Sequence, residues 1–256
     1  MTRRAAAPAL PDDLEAGLKR LKLSAVRRQA PDVLITAKTQ RWTPEETLRV
    51  LVELEIAARD ESNCRNRLAA ARFPVTKTLA EFNLAESSIP RASHDYLITL
   101  DWIRRADNLC LVGPAGTGKT HYLLAIGHAA VEAGHRVRYF TAVELIEQLW
   151  RAVADNTVGR AIEQVCRNEL IIIDEIGFAP LDHTGCQLLF RVIAAAYERR
   201  SVAIASHSPF EAWGRFLPDQ PTAVSLLDRL CHHAHIITTS GDSYRLTHRT
   251  TGRQED

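Results

Sequence analysis

The chain has 256 residues, 46% of them apolar and 25% charged, with a formal net charge of +1. That balance excludes a disordered or polycationic chain and describes a globular protein long enough for one large domain, or one domain plus a smaller one. Five cysteines, at 64, 110, 166, 186 and 231, form no C-x-x-C pair. With no signal peptide and no apolar run of membrane-spanning length, they read as reduced thiols of a cytoplasmic protein.

The net charge hides an asymmetry. Residues 1–77 carry 15 Lys/Arg against 10 Asp/Glu, whereas residues 78–256 carry 17 against 21. A basic first third suits contact with a polyanion, although a solvated helical face would carry the same charge. Residues 1–11 read as a flexible tail. Apolar residues at 14, 18, 21, 25 and 26 predict a helix with Lys19, Arg20, Lys22, Arg27 and Arg28 largely off its apolar stripe. Thr43-Pro44-Glu45-Glu46 predicts a helix start, with Thr as N-cap, Pro in the first position and Glu closing a capping box. That helix runs toward Asp60, and a further helical pattern carrying Arg65, Arg67 and Arg72 ends at Phe73-Pro74. Residues 12–72 thus form a small all-α domain suited to binding DNA or a partner.

Residues 73–92 read as a linker, with a helix expected over Ser93–Arg105 after Ile89-Pro90. Strands are expected at 108–112, 136–140, 169–174, 201–206 and 234–238, separated by helical runs. This alternation predicts an α/β domain over 93–250 with a five-stranded parallel sheet, followed by a tail at 251–256. The four tryptophans, Trp42, Trp102, Trp150 and Trp213, read as packing residues.

The chemistry concentrates at Gly113-Pro114-Ala115-Gly116-Thr117-Gly118-Lys119-Thr120, a G-x-x-x-x-G-K-[ST] phosphate-binding loop between an apolar run and a helical pattern. Its glycines allow backbone N–H groups to turn inward as an anion nest, and the next helix adds its positive end. Lys119 is expected to reach the β- and γ-phosphates of ATP, and Thr120 to offer its hydroxyl to Mg²⁺. Leu170-Ile171-Ile172-Ile173-Asp174-Glu175 reads as a buried central strand ending in two carboxylates. Asp174 would help hold Mg²⁺, and Glu175 would deprotonate the attacking water. At the end of the fourth strand, Ser206 and His207 are candidates to contact the γ-phosphate or that water; a turn role fits them equally. Arg229, in Leu227-Asp228-Arg229-Leu230, is either an arginine finger for a neighbouring subunit or half of a surface ion pair. Cys231-His232-His233-Ala234-His235 has no second ligand cluster at finger spacing, so no metal site is assigned to it.

Together these residues resemble the IstB-like ATP-binding proteins, AAA+ ATPases that assist the transposases of insertion sequences and are related to DnaC-type helicase loaders. The likeness covers almost the whole chain: Gly113 to His121, Ile173 to Leu181, Tyr197-Glu198-Arg199, Ser206, Pro209-Phe210 and Trp213. It extends to Asp228-Arg229-Leu230, His232 to His235 and Ser243-Tyr244-Arg245-Leu246, and on the linker side to Arg72-Phe73-Pro74 and Lys77 to Phe82. The resemblance implies an AAA+ core with a short or absent lid, with His121 part of the nucleotide loop and Arg229 the arginine finger. It also implies ATP-dependent self-assembly on double-stranded DNA, DNA remodelling, and recruitment or stimulation of a transposase. A helicase loader built on the same core is the alternative, to be separated by what the N-terminal third binds. The family usually has Asn where this chain has His207, a change that bears on hydrolysis more than on ATP binding.

Overall fold

The computed structural model describes residues 9–241, 243 and 244. Two compact units divide it, residues 1–66 and 67–256. The division falls inside a helix, ahead of the Phe73-Pro74 boundary suggested by the sequence.

The first unit is helical: α1 (Asp12–Arg20), α2 (Ser24–Gln40) and the greater part of α3 (Pro44–Ala71). Its core is small, with Leu10, Val26 and Ala30 buried and Leu18, Leu23 and Leu51 packed against them. The capping box at Thr43 is formed: the Thr43 N–H donates to Glu46 Oε2 at 2.7 Å and the Glu46 N–H to Thr43 Oγ1 at 3.2 Å. The helix that follows is continuous to Ala71, without a break near Asp60.

One expectation is corrected here. The apolar stripe from Leu14 to Val26 is not a single helix. Lys22 takes a left-handed conformation (φ +57°). The Leu23 N–H then closes onto the Leu18 carbonyl at 2.9 Å, and the Lys22 N–H onto that of Lys19 at 3.0 Å. This is a Schellman stop. Its usual sequence signal is glycine or asparagine, and here the residue is lysine.

After the end of α3, the second unit continues with two 3-10 turns, Leu79–Glu81 and Leu84–Glu86, followed by α4 (Arg91–Leu97) and α5 (Asp101–Arg104). The helix expected over Ser93–Arg105 is therefore broken, at Leu100 with φ +61°. There follow β1 (Asn108–Val112), α6 (Lys119–Glu132), β2 (Val137–Thr141), α7 (Ala142–Ala154), α8 (Val158–Val165), β3 (Leu170–Ile176), α9 (His183–Ala196), β4 (Ser201–Ser206), α10 (Gln220–Cys231) and β5 (Ala234–Thr238). All five expected strands are present to within two residues.

The strands run parallel in the order β2-β3-β4-β1-β5. β1 and β4 are buried along their whole length, whereas β5 at the edge is largely half-exposed. One face of the sheet, with Cys110, Ile171, Ile173, Val202 and Ile204, packs against α7 to α10. On the other face Gly127 of α6 lies so close to Ile172 and Phe73 that a Cβ there would come within 2.8 Å of each. Of the tryptophans, Trp102 and Trp213 are fully buried, but Trp150 is 44% exposed on α7 and is not a core residue. The lid expectation, and Arg245 and Leu246 of the family-like tail, fall outside the described residues. Among the described residues no helix is long and apolar enough to cross a membrane.

Candidate functional site

The strand order sets the site. β4 is inserted between β1 and β3, so three C-terminal strand ends stand side by side: the loop after β1, the turn after β4 and the two acids of β3. Ligands bind at this edge of such sheets.

The loop has the backbone its glycines promised, with Gly116 and Gly118 at φ +85° and +87°, a region where a side chain would be strained. Gly118 is the N-cap of α6, so the helix dipole points at the cavity. Lys119 is 9% exposed, and its Nζ donates to the Gly113 and Pro114 carbonyls at 2.6 Å each. Thr117 Oγ1 donates to the Pro114 carbonyl at 2.9 Å and lies 2.7 Å from Thr239 Oγ1, which ties the loop to the segment after β5. The Gly113 N–H donates to the Ser206 carbonyl at 3.0 Å, joining loop and β4.

β3 carries a feature that the apolar run did not announce. Its pairing with β4 goes from Ile173–Ile204 to Ile176–Ser206, three residues against two. The extra residue is a bulge at Asp174-Glu175, with Glu175 left-handed at φ +60°. Bulges and strained non-glycine residues collect at functional sites because they re-aim a side chain. Here the bulge sends neighbouring carboxylates to different environments: Asp174 is 2% exposed, and Glu175 is exposed. Asp174 Oδ1 accepts the Glu175 N–H at 2.8 Å, and Oδ2 accepts the Tyr139 hydroxyl at 3.1 Å. Burial, and then the Asp174 charge beside it, push the Tyr139 phenol far above its usual range, so it remains a donor.

These groups line a cavity of about 760 Å³ that includes Ala115 to His121, Asp174, Glu175, Phe178 and His207. Another wall comes from the linker, through Lys77, Glu81, Phe82, Asn83, Ser87 and Ser88, and a further part from Ser240, Gly241 and Tyr244. Phe82 packs edge-on against His121 with ring centres 5.3 Å apart. Burial first, and then the Lys77 charge, lower the His121 pKa. Its Nε2 is buried with no hydrogen-bond partner among the described residues.

The candidate residues are not brought together equally. Pro114 and Ala115 are exposed at the rim of the loop. The buried Ser206 hydroxyl donates to the Ser208 carbonyl at 2.8 Å and accepts the Ser208 N–H at 3.2 Å, so its side chain holds the turn after β4. His207 faces the cavity beside Phe178, ring centres 5.9 Å apart. Arg229 does not line the cavity of its own chain. It donates to the Ser225 carbonyl at 2.9 Å and lies 5.1 Å over the Phe190 ring.

Sequence reasoning gave no site role to Tyr139, Phe82, Ser240, Gly241 or Tyr244, although Phe82 and Tyr244 fall in the family-like segments. The only local signal for the linker wall was the Thr78-x-x-Glu81 spacing, where the Thr78 N–H donates to Glu81 Oε2 at 3.1 Å.

The donor set fits ATP and Mg²⁺. A buried carboxylate with neutral hydrogen-bond partners faces a cavity that also holds a lysine, a helix N-terminus and the Thr120 residue. Hard oxygen donors of this kind suit Mg²⁺.

The family model described as IstB-like ATP binding protein matches residues 16–252. The ATP-binding protein of insertion sequence IS21 from Pseudomonas aeruginosa is 34% identical over 235 residues, covering 91% of this chain and 89% of its own. That of IS5376 from Geobacillus stearothermophilus is 33% identical over 211 residues, covering 82% and 84%. Among solved structures, AMPPCP-bound DnaA from Aquifex aeolicus superposes with a TM-score of 0.54 at 19% identity, over 65% of this chain and 51% of its own. DnaI superposes with a TM-score of 0.52 at 16% identity, over 64% and 91%. Both structural likenesses bear on the fold alone.

Proposed function

The chain belongs to the IstB-like ATP-binding protein family of AAA+ ATPases found with insertion sequences, and from that premise we propose that it assembles on duplex DNA when ATP binds, remodels that DNA and engages a transposase. The observation that carries the reading is the meeting, across β4, of the phosphate loop with the bulged Asp174-Glu175 pair, while Arg229 stays out of its own chain's cavity.

Gly113 to His121 bind the triphosphate, and Lys119 exchanges its two loop carbonyls for phosphate oxygens. Thr120 and Asp174 would hold Mg²⁺, which when bound would supply positive charge against the phosphate oxygens. Glu175, exposed beside Asp174, takes a proton from the water that attacks the γ-phosphorus, and ADP and phosphate leave. His207 orients that water or the γ-phosphate. Arg229 swings off Phe190 to meet the nucleotide of the next protomer, which makes hydrolysis depend on assembly. Head-to-tail contacts of this kind close into rings or extend into helical filaments. The basic first third grips DNA phosphates in a sequence-tolerant, salt-sensitive manner. Bending the duplex costs roughly a few kcal/mol, offset by contacts summed over several subunits.

The test is sedimentation of the purified chain with duplex DNA, with and without a non-hydrolysable ATP analogue. The expected result is a DNA-bound oligomer only with the analogue, lost in Lys119→Ala and dissolved when hydrolysable ATP is consumed. Equal DNA binding with and without nucleotide would overturn the reading. Stimulation by the oligomer of strand transfer by a candidate insertion-sequence transposase tests the remaining step, and no stimulation would remove it.

A further inference from the structure

A second cluster lies away from the nucleotide cavity, where α9 and α10 end. The two histidines that follow α10, His232 and His233, meet Glu198, which comes from the turn between α9 and β4. One ligand atom from each lies within 4.8 Å of the other two. His233 Nε2 and Glu198 Oε1 are 4.0 Å apart. The sequence pointed only to Cys231-His232-His233-Ala234-His235, with no second ligand group in sight. The fold supplies it from a segment some thirty-five residues earlier, and His235 departs with β5, its Nε2 3.9 Å from Asp107 Oδ2.

We propose that Glu198, His232 and His233 form a binding site for a divalent transition metal of the Zn²⁺ type. The backbone holds all three ligands in place. The His233 carbonyl accepts the Asn108 N–H at 2.7 Å, fixing that residue to the start of β1. Glu198 sits left-handed at φ +55° in a turn closed by the Arg199 and Arg200 N–H groups on the Ala196 carbonyl. His232 is the residue just after α10, and its Nδ1 lies 2.9 Å from the Tyr197 hydroxyl. That outer partner leaves Nε2 of His232 for the metal and sets the ring's orientation, as metal-binding histidines require. Two imidazoles and one carboxylate suit Zn²⁺, Co²⁺ or Ni²⁺ and not Mg²⁺, which takes oxygen ligands in an octahedron. Metal–ligand bonds of about 2.0–2.1 Å bring donor atoms closer together than they stand now, a shift that side-chain rotation of exposed groups supplies. Three protein ligands leave a fourth position for water. A bound ion would tie the end of α9 to the end of α10, one helical turn beyond Arg229. An exposed His–Glu ion pair alone contributes little.

The experiment is calorimetric titration of the full, chelator-treated, nucleotide-free chain with Zn²⁺, with Co²⁺ absorption as the geometric readout. One ion per chain is expected, with visible Co²⁺ bands of four-coordinate intensity. Glu198→Gln and His233→Ala should each weaken binding at least tenfold, with Tyr197→Phe following in the same direction. Because the three ligands are exposed, the metal-free melting temperature of each variant should match that of the parent, which separates loss of a ligand from loss of fold. Absence of binding, or equal affinity in the parent and the Glu198→Gln/His233→Ala double variant, would overturn the proposal.

Discussion

Two carboxylates are buried among the described residues, one in each unit: Asp174 at 2% exposure and Glu55 at 6%. Both accept backbone N–H groups, yet their surroundings differ. Glu55 takes the Ala25 and Val26 N–H groups at 2.9 and 3.2 Å and the Arg59 guanidinium at 2.9 Å. It caps the first turn of α2, for which the N-cap residue Leu23 has no side-chain acceptor. A cation neutralises it and its lone pairs are used. Burial works to raise its pKa, but the Arg59 hydrogen bond and the two backbone donors outweigh burial and hold it below its ordinary value. Among the described residues Asp174 has only neutral donors, Tyr139 and the Glu175 N–H, and it faces a cavity. A buried acid without its own cation, opening onto space, suits the Mg²⁺ role proposed for Asp174; a buried acid already paired with arginine holds helices together.

That contrast separates the expected effects of mutation: changes near Asp174 should alter turnover with little effect on stability, and changes at Glu55 the reverse. The largest effect is expected for Arg229→Ala, about a 10³–10⁵-fold loss of ATP turnover with nucleotide binding retained. Mixing it with Lys119→Ala should restore part of the rate, since the arginine is proposed to act on a neighbour's nucleotide; the absence of any rescue in a steady-state assay would remove the finger role. Glu175→Gln should lower kcat by about 10²–10⁴-fold while ATP affinity, read by fluorescent-nucleotide titration, is kept. Normal turnover in that variant would move the base elsewhere. Tyr139→Phe, which removes one neutral hydrogen bond from Asp174, should weaken Mg²⁺-dependent ATP binding by about fivefold, in proportion to a bond worth roughly 1 kcal/mol.

The smallest effect tests the other side. Glu55→Gln should destabilise the helical unit by about 1–2 kcal/mol, the cost of a weakened cap and a disrupted ion pair, with ATP binding unchanged. The pH dependence has a definite sign. The Glu55 carboxyl has a folded pKa below its unfolded value near 4.3, so its contribution is complete above that value and is lost as pH falls toward the folded pKa. Chemical-denaturation midpoints of the parent should therefore fall more steeply below about pH 4 than those of Glu55→Gln. Parallel curves would mean that Glu55 is not the cap described.

Much of the fold was legible in the chain because it follows from short-range patterns. Apolar runs of strand length, the Thr43-x-x-Glu46 box and the glycine-lysine loop each act through neighbours in sequence. What escaped notice follows a common cause. Lys22 and Arg41 each adopt a left-handed conformation where helices stop, a role usually marked by glycine. A basic residue there gains from the helix dipole, so the stop carried no sequence mark. The same holds for Glu175: its side chain announced chemistry, but nothing local announced the bulge that aims it.

From its residues alone the chain declared a phosphate loop, a pair of acids at a buried strand end and alternating strands and helices, since each is a property of fewer than about a dozen consecutive residues. Tertiary structure decided which strand stands between loop and acids, and that the linker closes the nucleotide cavity. It also decided that Glu55 caps a helix thirty residues away and that Glu198 meets His232 and His233. Those juxtapositions depend on strand order and on the crossing of distant helices. The energy that selects them comes from burying surfaces that meet only when the whole domain closes.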